Sequence, residues 1–506
     1  MAMSAYPLSA ICDPTFMLRG YASFRAFELS LADAAGAQRS VLDRLLNRAA
    51  ATRFGRDHGF SHISNVAEFQ SRVPLRTYDD FYSTYWQRSF PRLVDCTWPG
   101  LMPYFALSSG TTTGRSKYVP CSHDILASND KGLHDILVHH VLNRPASRVL
   151  GGKTLVLGGS TALKEESPGV FSGDMSGIEA CQVCWWEQPW VFPPKDIALI
   201  ANWEEKISRL AAAAVAEDIR CISGAPNWIL LFLDQVFALR GTDALEDCFP
   251  NLELVIHGGI GFAPYRERFA KLMAKTHAET REVYFASEGF LAVADRRDGD
   301  GMRLVADCGI FFEFVPVSEL RSPQPRRFWA GNVEKDVEYA VVLTTCSGLW
   351  AYVLGDTVRF VELSPPRILI TGRTSYVLSV VGEHLIAAEI DAAMGDAASA
   401  RGTSVMDYTV GAASQDSSAQ TPKHLFIVEL TGAAPAGEYC RQFGSDIDAR
   451  LKMANRDYAS YRANDYALGP PELLIVPPGT FAQWMKKRGK LGGQNKVPRI
   501  LNDAGL

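Results

Sequence analysis

Five hydroxyl side chains and two glycines crowd into Ser108-Ser109-Gly110-Thr111-Thr112-Thr113-Gly114, with Arg115 and Lys117 at the far end. Glycine lets the backbone turn until successive N–H groups point inward, and the hydroxyls add donors to the same concavity. Such a nest takes anionic oxygen, most often phosphate. A Walker loop requires G-x-x-x-x-G-K-[ST], but Arg115 stands five residues after Gly110, where the second glycine belongs. A P-loop NTPase is therefore disfavoured, and a polar surface loop remains the plain alternative.

Further polar groups sit at the ends of short apolar runs. In Tyr284-Phe285-Ala286-Ser287-Glu288-Gly289 an aromatic pair adjoins a carboxylate. The rings can stack a purine, and the carboxylate suits Mg2+, which takes one or two carboxylates with phosphate oxygens and water. The same residues also fit core aromatics and a surface glutamate. Tyr352-Val353-Leu354-Gly355-Asp356 ends in an acid that can accept two hydrogen bonds from a ribose diol, or simply make a turn. Gly372-Arg373, followed by Val377, Leu378, Val380, Val381 and Gly382-Glu383-His384, reads by itself as a strand and turn. The basic end, Lys486-Lys487-Arg488-Gly489-Lys490 through Lys496 to Arg499, is either a solvated tail or a loop presenting one charged head to a site.

Other chemistries find less support. No H-E-x-x-H or G-x-S-x-G pattern occurs, and Asp298-Gly-Asp300-Gly fails EF-hand spacing and suits a hairpin turn. Cys181-Gln-Val-Cys184 has metal or redox spacing, but no second pair or nearby histidine completes it, so two half-buried core cysteines are expected. Trp185, Trp186, Trp190 and Trp228 are either core or the lining of an apolar acyl pocket.

These groups need elements to hold them. The first hundred residues look helical and irregular, with Val41, Leu42, Leu45, Leu46 and Ala49 marking one helix, and Trp203, Ile207, Leu210 and Ala214 mark another over 203–217. Thr154–Leu157, Leu252–His257 and Glu282–Phe285 read as buried strands, the first two ending in glycine pairs. Strands alternating with helices predict an α/β core with mostly parallel sheets, whose ligands sit beyond the carboxyl ends of the strands. From about 310 to 372 hairpin-like runs predict a strand-rich subdomain: Ile310–Val317, Tyr339–Thr345, Trp350–Leu354, Val358–Val361 and Ile368–Thr371. Leu385–Met394 looks helical, 412–423 is a polar loop, and Lys423–Leu430 and Leu473–Val476 look like strands of a small α+β domain. The expected division is 1–375 and 376–506.

Bulk composition is that of an ordinary soluble globular protein. The 506 residues exceed the size of a single core, 47% are hydrophobic and 21% charged. A net charge of −5 gives no reason to expect nucleic acid or an anionic membrane as partner. No signal-peptide pattern opens the sequence, and no apolar run approaches the ~18 residues of a membrane span. Ten scattered cysteines suit reduced thiols, hence a cytoplasmic location.

The order of the motifs is more specific than any one of them. SSGTTTGRSKYVP, HGGIGF, YFASEG, YVLGD, the GR and GEHL segments and a C-terminal loop lysine together resemble the adenylate-forming ligase superfamily. More closely, the chain resembles the Gretchen Hagen 3 family of acyl-acid amido synthetases, in a bacterial-type version. RFGRDHGF and AEFQSRVPLRTYDDF (Arg53 to Phe81), ISGAPNWIL (Ile222 to Leu230) and FFEFVP (Phe311 to Pro316) are similar to that family. The similarity covers roughly residues 40–500.

The resemblance implies a large N-terminal adenylation domain, a mobile C-terminal lid hinged near Ser375, and ATP with Mg2+. It implies that Ser108 to Gly114 with Lys117 hold the ATP phosphates, and that Gly258, Gly259, Tyr284 and Phe285 border the adenine. Glu288 would hold Mg2+, Asp356 and Arg373 the ribose, and Lys496 the α-phosphate and attacking carboxylate. The phrase GGQNKVPR is short on apolar flanks, so Lys490 stands as the alternative lysine. The expected partners are a small carboxylic acid and an amino acid or other amine, with the chain a monomer or weak dimer. Two other readings keep the nucleotide: an acyl-CoA synthetase forming a thioester, and a nucleotide-binding protein without catalysis. The family-like opening and the YFASEG form favour the amide. Glu288, Asp356 and a candidate lysine together weigh against an inactive protein.

Overall fold

The computed structural model describes residues 12–31, 33–108, 117–158, 163–183, 185–200, 202–296, 299–374, 377–378, 383, 385–413, 421–431, 437–465, 468–488 and 496–501. The chain forms two units. One is Met1–Gly259 with Thr276–Leu369; the other is Ile260–Lys275 with Ile370–Leu506.

The first unit is built on a long mixed sheet. Its parallel part runs Val191–Phe192, Lys153–Leu157, Ile219–Gly224, Leu254–Gly258 and Glu279–Ala286. Gly289–Val293 then turns back antiparallel, followed by Met302–Leu304, Pro366–Arg373, Tyr352–Leu363, Glu338–Thr345, Ile310–Pro316 and Phe328–Trp329. The apolar runs predicted as strands between 154 and 371 lie on this sheet, and the strand-rich region after 310 is its antiparallel half. A second sheet joins Lys117–Cys121, Tyr104–Ser108, Val170–Gly173 and Lys164–Ser167. The long Ile310–Pro316 strand is buried throughout, and its Glu313 is matched by the Arg327 guanidinium at 2.7 Å, with Gln70 also donating to the carboxylate.

One expectation is corrected here. Trp350–Leu354 and Val358–Val361 are not separate strands but parts of one, Tyr352–Leu363. Its pairing with Glu338–Thr345 jumps from Ala340↔Thr357 to Val342↔Val353, so Leu354, Gly355 and Asp356 together face Val341. The extra residues form a bulge, with Gly355 at φ 96°. Glycine there reads in the sequence as a turn. A bulge uses the same conformational freedom without ending the ladder.

Helices cover the sheets. Ala34–Ala49 starts at Asp33, whose carboxylate accepts from the Ala35 and Gly36 N–H groups, and buries the predicted Val41, Leu42, Leu45, Leu46 and Ala49. His123–Asn143 is capped by Ser122 and begins directly after the Lys117–Cys121 strand. Thr15–Leu31 packs on that helix through a buried cation: Arg25, 2% exposed, reaches Asp135 at 2.7 and 2.8 Å and Asp307 at 2.7 and 3.1 Å. The expected 203–217 helix is Trp203–Ala214.

The second unit has its own core. Its sheet runs Glu472–Val476, His424–Leu430, Val405–Ala412 and Ile500–Leu501, with Ala387–Ala400 and Glu438–Ala454 packed together beside it. The helix predicted from Leu385 begins at Ala387, after a two-residue strand. Ile260–Lys275 joins this unit by close backbone contact: a Cβ on Gly261 would lie 2.2 Å from the Asp391 carboxylate, and one on Gly395 2.7 Å from the Ala263 carbonyl.

Candidate active site

The Tyr104–Ser108 and Lys117–Cys121 strands form an antiparallel hairpin in which Ser108 pairs with Lys117. Residues 109–116 connect them, so Ser109, Gly110, Thr111, Thr112, Thr113 and Gly114 lie outside the described residues. The hairpin frame fixes both ends of that glycine-rich connection. Ser108 and Lys117 are half-buried at its mouth, and the Lys117 ammonium sits 5.7 Å from the centre of the Tyr78 ring.

A second hairpin carries Glu288. Ala286 pairs with Gly289, which leaves Ser287 and Glu288 as a two-residue turn. Gly289 has φ 146°, and a Cβ there would lie 2.7 Å from Ile310 Cδ1, so neither the backbone nor the space admits another residue. The His123–Asn143 helix supports this turn from below. Asn129 Oδ1 accepts from the Phe290 N–H at 3.0 Å, and Ile125 lies 3.2 Å from the position of a Gly289 Cβ. The Tyr104–Cys121 hairpin and the Glu288 turn are thus joined through one helix.

The carboxylates predicted to serve ribose and metal are cross-tied. The Tyr284 hydroxyl donates to Asp356 Oδ2 at 2.7 Å, and the Tyr352 hydroxyl donates to Glu288 Oε1 at 3.3 Å. Each tyrosine comes from the segment that bears the other's acid. In the sheet order four strand spacings separate Tyr284 from Asp356, about 19 Å if the sheet were flat. A tyrosine and an aspartate cannot bridge that, so the sheet must curl until its two halves meet. The bulge at Gly355 turns Asp356 out of the ladder and into this meeting place.

Gly258 and Gly259 have reasons internal to the fold. A Cβ on Gly258 would lie 2.4 Å from the Val283 carbonyl oxygen, where two parallel strands close in, and Gly259 has φ 81°. Tyr284 is buried; Phe285 is half-buried and lies 5.7 Å from Phe290, ring centre to ring centre. Within the second unit Arg373 ends the Pro366–Arg373 strand, and Lys496 opens the 496–499 segment. Ser375, Cys184 and Lys490 lie outside the described residues. Trp185 and Trp186 are not core: they are 78% and 55% exposed. Trp190 and Trp228 are half-buried.

Two titratable groups shielded by packing escaped the sequence reading. Glu179, on the Met175–Gln182 helix, is reached by Asn129 Nδ2 at 3.4 Å, the same side chain that holds the Phe290 backbone. Burial, reinforced by the Asp130 charge, pushes its carboxyl up to about 8. Lys206 donates to the Gly158 and Ala198 carbonyls at 3.1 and 2.8 Å, and burial brings its ammonium down to about 8 despite the Asp174 charge. Glutamates and lysines on amphipathic helices look solvated in sequence, and only tertiary packing encloses them.

The raised Glu179 value has a signed consequence. The folded protein holds the proton more tightly than the unfolded chain does, so stability falls as pH rises from the ordinary 4.5 toward about 8. Glu179→Gln is expected to melt progressively above the parent over that interval, with no further divergence beyond it. Thermal scans from pH 4 to 9 check this; a constant offset across the range would discard the assignment.

Three domain models of one family match in order: the GH3 family N-terminal domain over residues 23–180, central domain over 303–373 and C-terminal domain over 388–505. The probable indole-3-acetic acid-amido synthetase GH3.9 of Oryza sativa subsp. japonica is 34% identical over 38% of this chain and 46% of its own. The indole-3-acetic acid-amido synthetase GH3.3 of Arabidopsis thaliana is 28% identical over 60% of this chain and 55% of its own. The chain spans about half the length of these curated relatives. Among solved structures, the AtGH3.15 acyl acid amido synthetase in complex with 2,4-DB superimposes with a TM-score of 0.77 at 18% identity, covering 99% of this chain and 96% of that one.

Proposed function

The chain belongs to the GH3 (Gretchen Hagen 3) family, and on that premise we propose that it is an ATP-dependent ligase that joins a carboxylic acid to an amine, an amino acid by preference, through an acyl-adenylate. The observation that carries this reading is the crossed pair of tyrosine–carboxylate hydrogen bonds, which gathers Glu288 and Asp356 at one end of the curled sheet.

In the first step a carboxylate oxygen attacks the α-phosphorus of ATP. A new P–O bond forms and the bond to pyrophosphate breaks. Two anions must meet, so the barrier is largely electrostatic repulsion. Ser108 to Gly114 with Lys117 hold the triphosphate; Gly258, Gly259, Tyr284 and Phe285 border the adenine; Asp356 and Arg373 take the ribose. A carboxylate has about four lone-pair sites, enough for a phenol and a diol together. Glu288 is a buried hard-oxygen donor at a strand-end turn, which fits Mg2+ in company with phosphate oxygens. Bound there, the cation would offset the charge of the phosphates. Lys496 would do the same. In the second step the amine nitrogen attacks the acyl carbon, AMP leaves with the bonding pair, and the amine loses a proton to a base or to solvent.

The tyrosine ties supply a test of the ribose assignment. Tyr284→Phe keeps the ring and deletes a hydrogen bond to a charged group, worth about 1.5 kcal/mol, so KM for ATP is expected to rise about tenfold. A KM within twofold of the parent would separate Asp356 from the ribose. The acid is expected to be aromatic or a medium-sized hydrophobe, and the reaction cytoplasmic, a setting supported by the free thiols of all the described cysteines.

The decisive experiment is pyrophosphate release from ATP with a panel of carboxylic acids, crossed with the twenty amino acids and with coenzyme A. Release that needs only acid and ATP, with an amide appearing when an amino acid is added, supports the ligase. A thioester with coenzyme A and no amide overturns it. Nucleotide binding with no turnover on any acid leaves a binding protein.

A further inference from the structure

The Thr15–Leu31 helix turns Thr15, Leu18, Ala22 and Arg25 inward and leaves its larger apolar side chains outside. Arg25 is sequestered beneath it with Asp135 and Asp307, while Phe16, Met17, Tyr21, Phe24, Phe27 and Leu31 point outward, each between 41% and 70% exposed. These residues recur at three- and four-residue spacing, so they form one stripe along the helix. Among its described residues Glu28 is the only acidic or basic side chain on the exposed side. Gly20 lies within the stripe, and the space where its Cβ would point is open to 4 Å, so another backbone can come close there.

The stripe exceeds what a lone soluble protein tends to display. With roughly 200 Å2 for a fully open aromatic side chain, the six leave about 700 Å2 of apolar surface uncovered, against about 300–600 Å2 for the largest patch of a typical monomer. Two such faces pressed together would remove about 1,400 Å2 from water, within the ~1,200–2,000 Å2 of stable interfaces. An apolar stripe with almost no charge is complementary to itself. A helix lying in a membrane surface carries lysines and arginines on its polar face. Here the one exposed charge is acidic, and the chain as a whole carries −5.

We propose that this helix face is a homodimer interface, with two copies packing their Thr15–Leu31 helices across a two-fold axis near Gly20. The proposal rests on the surface alone and is independent of the adenylation chemistry. A two-fold interface is isologous, so each aromatic on one copy meets the same patch on the other and no open surface is left to propagate.

Sedimentation velocity between 1 and 50 μM tests it. The parent is expected to pass from the 55.6 kDa chain mass to twice that value as concentration rises. Phe24→Glu combined with Phe27→Glu, both outside the core, is expected to remain monomeric with an unchanged melting temperature, and Gly20→Leu to weaken association at least tenfold. A parent that stays monomeric over the whole range overturns the proposal, as does a double variant that still dimerises. Two further arms distinguish other occupants. Dimerisation only after removal of residues 1–11 would assign the face to the chain's own N-terminal segment. Flotation of a monomeric parent with phosphatidylserine vesicles, lost in the double variant, would assign it to lipid.

Discussion

Replacing Lys496 with alanine is expected to slow acid-dependent pyrophosphate exchange by about 10²–10³-fold while ATP affinity changes by only a few-fold. The asymmetry follows from what the lysine is proposed to do. On the same proposal, groups on other segments hold the triphosphate, adenine and ribose, so binding survives. The incoming carboxylate and the α-phosphate share a lysine only as the new bond forms, so the loss appears in turnover. The segment that carries the lysine is well anchored. Arg499 binds Asp407, the Tyr408 carbonyl at 3.0 Å and the Tyr265 hydroxyl at 2.8 Å, and stacks 4.4 Å from the Tyr408 ring centre. Lys490→Ala is the paired measurement. Exchange that persists in the Lys496 variant and collapses in the Lys490 variant would transfer the role.

Arg25→Met is expected to destabilise the first unit by about 3–5 kcal/mol, read as a lowered urea midpoint at constant slope. The guanidinium is enclosed and donates two hydrogen bonds to each of two carboxylates; removing it takes the arginine from Asp135 and leaves Asp307 with Lys131 alone. Burial alone would raise the Asp307 carboxyl, but hydrogen bonds from Arg25 and Lys131 overcome this and hold it at about 2. A depressed carboxyl contributes stability that is present above its ordinary value of 3.8 and lost as pH falls toward 2. The acid limb of the parent's stability profile should therefore lie partly in this pair, and the variant should lack that component. Asp307→Asn is the milder control, since Asp135 still faces the arginine. A midpoint unchanged by Arg25→Met would show that the cation is replaceable by apolar volume.

The core strands were readable because short apolar runs mark them: Thr154–Leu157, Leu252–His257 and Glu282–Phe285 lie in or against the strands Lys153–Leu157, Leu254–Gly258 and Glu279–Ala286. The family was readable from the order of six motifs. What stayed hidden depends on contacts between distant segments. Nothing local distinguishes the Gly355 bulge from a turn, or foretells that the Tyr284 hydroxyl will bond to Asp356. Glu179 and Lys206 look like surface charges until helices close over them. Thr15–Leu31 hides its meaning differently: its larger apolar residues look like a core face, whereas the buried Leu18 and Ala22 and the ion pairs of Arg25 mark the inward side.

The excursion of Ile260–Lys275 into the second unit has a consequence for biogenesis. This stretch leaves the ribosome more than a hundred residues ahead of Asp391 and Gly395, and further still ahead of Arg499, the groups that receive it. At roughly 5–20 residues per second the nascent polypeptide carries Phe262 and Tyr265 without their berth for about ten seconds or longer. Translation halted after Leu369 would release a product in which that berth never forms, a natural substrate for chaperones and proteases.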